Sequence, residues 1–372
     1  MISYESYIFI YILITIISII VCTFNIKYTV SNITESRQIL LSMILLSLMI
    51  AILASVRPEE TPDTLTYYYI YSKSASFLDM NDRIIKLGER YQDIEVFYIA
   101  LMGTLKEIGF SFRTELLFFA FTNSFLVQYS SYCLGKECFG GNPNFNKIAA
   151  LFLSLFAYHY SCIAIRAGFS IGMGMLGIVF LIRSGIHNKL VGVLILYIAC
   201  LSHSMAILFM LPTIILLWKK QVEINYKIYI LFTGLLCVAS LSMNLGSMTI
   251  VYISDIISAL FDKFLILGFS NYLNSFDLNV GLKHWLVLMN SLIILYMLTN
   301  GKTIKLALIV SMGIYIFSFA YPIRAIHRAT DYFLIFLLPM VSVLDYGYLS
   351  KLQYIYISLF SNVMFLVYQM SL

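Results

Sequence analysis

Long apolar runs separated by short polar joints fill most of the chain; near its start, one extends from Ile8 to Ile20 and another from Leu40 to Leu53. Continuous runs of roughly 16 to 22 residues predict membrane-spanning α-helices, whereas a membrane β-barrel would show short segments of alternating polarity. The pattern therefore predicts an all-α, polytopic transmembrane bundle of about 12 spans. The predicted spans are residues 7–24, 39–56, 114–134, 148–165, 168–182, 190–202, 204–218, 228–245, 284–299, 304–320, 332–348 and 352–370.

Composition supports a membrane protein. Of 372 residues, 60% are hydrophobic and 12% are charged, and the mean hydropathy is +0.88. Such a chain is too apolar for one water-soluble core, and residues 1–372 are expected to form a single integral membrane domain. The net charge of +5 comes without a basic patch large enough to bind nucleic acid. The six cysteines lack metal-ligand spacing and are interpreted as small apolar packing residues. No metal and no cofactor are expected.

Basic residues in the joints between apolar runs set the expected orientation, because cytoplasmic joints carry an excess of lysine and arginine. This rule places both termini outside and leaves two long outer segments, residues 57–113 and 246–283. The residues assigned to the cytoplasmic side are Lys27, Arg37, Lys136, Lys147, Arg183, Lys189, Lys219, Lys220, Lys227, Lys302, Lys305 and Lys351.

Two stretches have alternative interpretations. If Lys189 and Lys219 are both cytoplasmic, the chain between them crosses the membrane twice, as two short helices that meet near His203. The alternative is one long tilted helix with His203 buried at its middle. Residues 93–110 are apolar but carry several charges. The number of membrane crossings that keeps the assigned basic residues on the cytoplasmic side favours a re-entrant or interfacial helix here over a span.

Arginines supply the first candidate chemistry. Arg166 lies between two apolar helices, and a cation at the bilayer centre costs about 2.5–3.5 kcal/mol on insertion scales, so it requires a partner. It is either a helix-end side chain that reaches lipid headgroups or an anion ligand. Arg324, His327 and Arg328 have i, i+3 and i+4 spacing, which suits two guanidinium forks to a diphosphate. Alternatively, Asp331 pairs with Arg328 as a structural bridge.

Other polar residues suggest sugar binding and proton transfer. Two prolines and an acidic cluster follow Arg57 and lead into a tyrosine-rich helix, with Thr61 or Asp63 as its cap. Carboxylates and aromatic faces together are typical of carbohydrate sites. His203 and Glu95 lie in apolar surroundings and are either proton acceptors or buried groups that fix helix packing.

Glycines form a small-residue face on one predicted span. Close helix packing is the simplest interpretation, and a groove for a lipid or sugar is the alternative. The residues concerned are Gly168, Gly172, Gly174 and Gly177.

Taken in order, these elements resemble the EpsG-like, Wzy-type polymerases of bacterial surface polysaccharides, over residues from about 50 to 340. Two positions depart from the family pattern. Thr61-Pro62 stands where a glycine usually precedes the Asp-Thr pair, and Ala167 stands where a glutamine usually follows the central arginine. The matching elements are Arg57 with Asp63-Thr64 and Tyr67 to Tyr71, Glu95 before a stretch ending Ile108-Gly109-Phe110-Ser111, Ile165-Arg166, His203-Ser204, and Arg328 before Tyr332-Phe333.

The resemblance implies a GT-C-like, lipid-dependent and metal-independent glycosyltransferase of the bacterial inner membrane, with its active site facing the periplasm. It would transfer a glycan from undecaprenyl diphosphate to the terminal sugar of a lipid-linked repeat unit. A ligase related to O-antigen ligases and a lipid-linked oligosaccharide transporter are the alternatives. The expected partners are undecaprenyl diphosphate-linked oligosaccharide, membrane lipids and a chain-length regulator protein.

The resemblance and the residue chemistry together assign roles. Arg166, Arg324 and Arg328 are expected to bind the diphosphate. His203 is the first choice for the base that accepts the proton of the acceptor hydroxyl, followed by Glu95 and Asp63. The residues expected to contact the glycan are Arg57, Tyr67, Tyr71, His327 and Tyr332.

Overall fold

The computed structural model describes residues 3–24, 32–74, 84–87, 90–93, 95–218, 225–243, 281–299, 303–320, 324–343 and 351–370. Almost all of these residues are helical, which confirms the predicted helical fold. The predicted outer segment 246–283 lies almost entirely outside the described residues, as does the end of the predicted span 332–348.

The helices of the first half are α1 (Tyr4–Phe24), α2 (Asn32–Ser55), α3 (Thr64–Lys73), α4 (Val96–Glu107), α5 (Phe112–Phe139), α6 (Phe145–Phe152), which continues as a π-helical segment (Leu153–Ile163), α7 (Ile165–Ile182) and α8 (Ile186–Ser202). The rest of the chain has a 3-10 helix (Ser204–Phe209), α9 (Met210–Leu217), α10 (Tyr226–Ser242), α11 (Leu282–Leu298), α12 (Ile304–Ala320), α13 (Arg324–Leu334), α14 (Leu337–Ser342), α15 (Lys351–Ile355), a π-helical turn (Tyr356–Phe360) and α16 (Ser361–Met370).

Within the described ranges, three helices are long and apolar enough to cross a membrane. They contribute the stretches Tyr4–Val21, Ser36–Ser55 and Ile165–Ile182, and several shorter apolar helices accompany them. The membrane character of the chain is therefore confirmed, while the number of spans stays a prediction.

A short β-hairpin interrupts the predicted outer segment 57–113. Strand β1 (Ile84–Leu87) pairs antiparallel with β2 (Arg90–Asp93), with Leu87 opposite Arg90. No pattern in the sequence predicted this hairpin, because four-residue strands are too short to show a clear alternation.

The chain divides into two compact units. The first comprises Met1–Cys133 and Phe145–Ala206, and the second comprises Leu134–Asn144 and Ile207–Leu372. In the second unit, polar contacts join neighbouring helices: Tyr315 Oη donates to Thr233 Oγ1 at 3.0 Å, and Asn290 Nδ2 donates to Ser361 O at 3.1 Å. Buried polar pairs of this kind are typical of helix contacts in a membrane protein.

In the first unit, α3, α4, α5 and α7 meet around an aromatic core that includes Tyr67, Tyr98, Phe119 and Phe169. Helix α4 has 12 residues, which makes it about 18 Å long and shorter than the ~30 Å hydrocarbon core of a bilayer. That length agrees with a re-entrant or interfacial helix for residues 93–110.

The chain before Arg166 is broken by a π-helical segment. The segment ends at Ile163, Ala164 leaves the helical conformation, and α7 begins at Ile165. The carbonyls at such an end lack intrahelical donors, and side chains supply them here. Asn123 Nδ2 donates to Tyr160 O at 3.0 Å, and Arg57 Nη1 donates to Cys162 O. Arg166 therefore lies in the first turn of a new helix.

A second break occurs at His203, which is extended between the end of α8 and the 3-10 helix. The predicted break near His203 is confirmed, and the alternative of one continuous helix through this position is wrong. The side of the membrane on which the break lies stays a prediction.

Close packing explains the glycine face of α7. A Cβ placed on Gly168 would collide with Tyr160 O and lie 2.7 Å from Asn123 Nδ2. A Cβ on Gly172 would lie 2.9 Å from Leu126 Cβ, and one on Gly177 would lie 3.1 Å from Gly192 O. Neighbouring side chains and backbone thus fill the space beside these glycines, as the packing interpretation predicts.

We predict that Gly168→Ala destabilises the protein by about 1–3 kcal/mol, because the added methyl group overpacks the turn before Arg166. Gly234→Ala is the matched control, since a Cβ there meets only Leu292 side-chain atoms at 3.8 Å or more. Thermal unfolding of both variants in detergent measures the difference. Equal stability of the two variants would contradict the packing described here.

Candidate functional site

Three breaks between helices bring polar side chains together in the first unit. Glu95 immediately precedes α4, Arg166 lies in the first turn of α7, and His203 follows α8. Glu95 Oε2 accepts a hydrogen bond from Arg166 Nη1 at 2.7 Å, and each side chain is 19% exposed. Arg166 thus has the partner that a cation in apolar surroundings requires.

The second carboxylate oxygen of Glu95 is also engaged. Oε1 accepts a hydrogen bond from the backbone N–H of Ser204 at 3.3 Å. That N–H belongs to the first residue of the 3-10 helix and would otherwise lack an intrahelical acceptor. A single carboxylate therefore links the starts of α7, α4 and the 3-10 helix.

The electrostatics of Glu95 favour its charged form. Burial alone would raise the pKa of the Glu95 carboxyl, but the positive charge of Arg166, the electrostatic effect of the neighbouring His203 and the hydrogen bond from Ser204 hold that pKa below its ordinary value. A carboxylate with a lowered pKa and two engaged oxygens is a weak proton acceptor. The geometry therefore suits Glu95 to orienting Arg166.

The imidazole of His203 has a defined hydrogen bond on one nitrogen. Nδ1 accepts a hydrogen bond from the backbone N–H of Met205 at 3.3 Å. A neutral imidazole that accepts at Nδ1 carries its proton at Nε2. In this arrangement Nε2 is a hydrogen-bond donor.

Aromatic rings fix the backbone and the side chain of Arg166. Its backbone N–H donates to Tyr67 Oη at 3.3 Å, and its guanidinium carbon lies 6.0 Å from the centroid of the Tyr98 ring. The rings of Tyr67 and Tyr98 pack edge to face with their centroids 6.2 Å apart. Tyr67 is buried and its hydroxyl caps the start of α7, while the glycan contact expected for it stays a prediction.

Arg57 is buried near the same residues. Its side chain is 0% exposed, and the glycan contact expected for it from the sequence stays a prediction. Its guanidinium donates to Cys162 O and lies 5.7 Å from the centroid of the Tyr67 ring. Burial lowers the pKa of this guanidinium. This burial is explained by the carbonyl of Cys162 at the end of the π-helical segment. That carbonyl lacks an intrahelical donor, and the long side chain of Arg57 can reach it.

Asp63 has an unusual backbone. Among the described residues, it is the one residue other than glycine with a positive φ, at 64°. It occupies the N-cap position of α3, as predicted, but its side chain makes no capping hydrogen bond. The partly exposed carboxylate lies close enough to Tyr67 for its charge to act on that hydroxyl. Strained residues of this kind concentrate at functional sites.

The remaining predicted residues have different outcomes. Tyr71 is half-buried, and its hydroxyl donates to Phe110 O at 2.9 Å, so its glycan contact stays a prediction. Tyr332 is buried against Phe209, and the glycan contact expected for it stays a prediction. Helix α13 confirms the helical spacing of its three basic residues, but their side chains lie outside the described part, so their roles stay predictions. They are Arg324, His327 and Arg328.

Two further polar residues near this core were not predicted. Both carboxylate oxygens of Glu115 are buried and make no hydrogen bond to the described residues. Arg113 Nη1 donates to Arg57 O at 2.6 Å and to Ser55 O at 3.2 Å, which fixes the chain after α2. The signal in the sequence that could have indicated both residues is the presence of charges at the start of α5, which is otherwise apolar.

Within the described part of the chain, no three His, Cys, Asp or Glu side chains are grouped as metal ligands.

A model of the EpsG family matches residues 39–372, which is most of the chain and includes every residue of this site. The chain belongs to the EpsG family. Comparisons with curated proteins and with solved structures each find no match. Membership of the EpsG family confirms the resemblance drawn from the sequence and supports a polysaccharide polymerase-like role at the level of the family.

We predict that Glu95 and Arg166 are energetically coupled. Replacing either residue leaves the partner's charge uncompensated, so Glu95→Gln and Arg166→Gln should each destabilise the protein. The double variant should lose less stability than the sum of the single variants, with a coupling free energy of about 0.5–3 kcal/mol in thermal or denaturant unfolding. Additive effects would show that the ion pair contributes no net coupling.

Proposed function

We propose that the protein is a polysaccharide repeat-unit polymerase of the bacterial inner membrane, with its active site on the periplasmic side. It transfers a glycan from undecaprenyl diphosphate to the terminal sugar of a lipid-linked repeat unit. The observation that carries this proposal is the oriented guanidinium of Arg166, held by Glu95 beside His203 in an apolar protein of the EpsG family. We also propose that the protein has a GT-C-like fold with about 12 spans.

The reaction exchanges one bond for another. The bond between the sugar carbon and the diphosphate oxygen breaks, and a bond forms between that carbon and the acceptor hydroxyl oxygen. The hydroxyl proton passes to a base, and the diphosphate leaves with the bonding electron pair. Cations aimed at the leaving oxygen stabilise the transition state more than the ground state.

Arg166 is the proposed ligand of the diphosphate. A planar guanidinium matches phosphate oxygens in a bidentate way, and the bond to Glu95 Oε2 fixes the plane of this one. Diphosphate binding by Arg324 and Arg328 stays a prediction from their helical spacing.

We propose roles for His203 and Asp63 that differ from those expected from the sequence. Because Met205 N–H occupies Nδ1, the Nε2–H group is suited to donate to a diphosphate oxygen. Glu95 has both oxygens engaged. Asp63 is the remaining carboxylate of the expected set, and its side chain does not serve as a helix cap. We therefore assign proton acceptance to Asp63 and hydrogen-bond donation to His203.

We predict that purified protein incubated with lipid-linked repeat units produces a ladder of products. Arg166→Lys should reduce ladder formation about 100-fold or more, because an ammonium does not reproduce the bidentate fork. Arg183→Lys, at the opposite end of α7, is the matched control. Transfer only to a lipid core would indicate a ligase, and movement of the lipid-linked unit across the membrane without new bonds would indicate a transporter.

We predict that substitutions of His203 and of Asp63 have different effects on activity. His203→Gln should retain part of the activity that His203→Ala loses, since an amide N–H can replace the Nε2 donor but cannot act as a base. Asp63→Asn should abolish transfer while preserving insertion and stability. Full activity of Asp63→Asn, with no activity in His203→Gln, would return the base role to His203.

A further inference from the structure

We propose that Arg57 is a positioning residue, which holds Arg166 in its reactive orientation through the end of the π-helical segment and the ring of Tyr67. This inference rests on the proposed function, because it assumes that Arg166 binds the diphosphate. Arg57 itself is completely buried, so the proposed role is exerted through the groups that it contacts.

The first link runs through the backbone. Arg57 Nη1 donates to Cys162 O, in the last turn of the π-helical segment and four residues before Arg166. A cation at a helix carboxyl end also interacts favourably with the negative end of the helix dipole. Arg57 therefore stabilises the point at which the chain leaves one helix and begins α7.

The second link runs through an aromatic ring. The Arg57 guanidinium carbon lies 5.7 Å from the Tyr67 ring centroid, within the range of a cation–π contact. The hydroxyl of the same tyrosine accepts the backbone N–H of Arg166. The two links reach Arg166 from opposite sides of Ala164, so together they restrict both the position and the direction of the first turn of α7.

The side chain must be an arginine to make both links at once. A guanidinium spreads its donors and charge over a plane, so Nη1 donates to Cys162 O while the guanidinium carbon lies over the Tyr67 ring, whereas an ammonium is a compact charge. The backbone at this position is also fixed, since Arg57 O accepts a hydrogen bond from Arg113 Nη1 at 2.6 Å.

The arrangement is costly for stability. Within the described part of the chain, Nε and Nη2 of Arg57 have no hydrogen-bond partner, and the titratable groups that act on it are tyrosines and a cysteine. A buried cation without a carboxylate partner opposes folding. The presence of Arg57 near Arg166 is explained if Arg57 holds Arg166 in its reactive orientation.

The test compares kinetics of Arg57→Lys, Arg166→Lys and the double variant. Arg57→Lys should lower kcat about 100-fold with little change in KM, because misplacement of about 1 Å has an effect of that size. In the Arg166→Lys background the same substitution should have little further effect. Arg183→Lys is again the control, since its guanidinium lies 5.6 Å from the Phe180 ring. Equal effects of Arg57→Lys in both backgrounds would overturn the proposal.

A second measurement does not depend on activity. Amide hydrogen exchange across residues 160–170 should accelerate in Arg57→Lys and in Tyr67→Phe, but not in Arg183→Lys, because the Arg166 amide loses its fixed acceptor. Unchanged exchange in Arg57→Lys would overturn the positioning role. Accelerated exchange in a protein whose wild type makes no product ladder would instead show that the positioning is present and that the proposed function is wrong.

Discussion

The ion pair between Arg166 and Glu95 is the interaction on which the rest of this site depends. A guanidinium at the start of an apolar helix is tolerated only with a counter-charge or with water, and Glu95 supplies the counter-charge at 2.7 Å. The same carboxylate also accepts the Ser204 amide. If Glu95 were absent, the starts of α7 and the 3-10 helix would each lose a partner. One residue therefore orders the cation and the break that carries His203.

Around this pair, the first unit uses buried polar groups to maintain a broken helix. A π-helical segment that stops at Ile163 exposes carbonyls within an apolar core, and unpaired carbonyls there are costly. Asn123 and Arg57 supply donors to two of them. Gly168 then allows α7 to begin close to Tyr160. These contacts keep Arg166 in the first turn of a helix, where neighbouring rings limit its movement.

The helices and the breaks between them were largely predictable from the sequence, because apolar runs and the polar residues that interrupt them are local signals. The need of Arg166 for a partner was predictable from the cost of a membrane cation, but the identity of that partner was not. Glu95 lies 71 positions away, and no local pattern indicates which acid reaches it. Arg57 and Tyr67 were expected to touch glycan because they lie in a polar segment that is predicted to be on the outer side, and the structure buries both. Their burial follows from the Cys162 carbonyl and the Arg166 amide, which lack intrahelical partners only because the distant π-helical segment ends between them.

The central claim is that the guanidinium of Arg166, oriented by Glu95, binds the diphosphate of a lipid-linked glycan. An electron cryo-microscopy map of the protein with bound polyprenyl diphosphate tests it most directly. The account predicts phosphate density about 2.7–2.9 Å from the guanidinium nitrogens of Arg166, with the contact to Glu95 retained. Density for the diphosphate at a site remote from Arg166, with the Glu95 pair intact and the site empty, would contradict it.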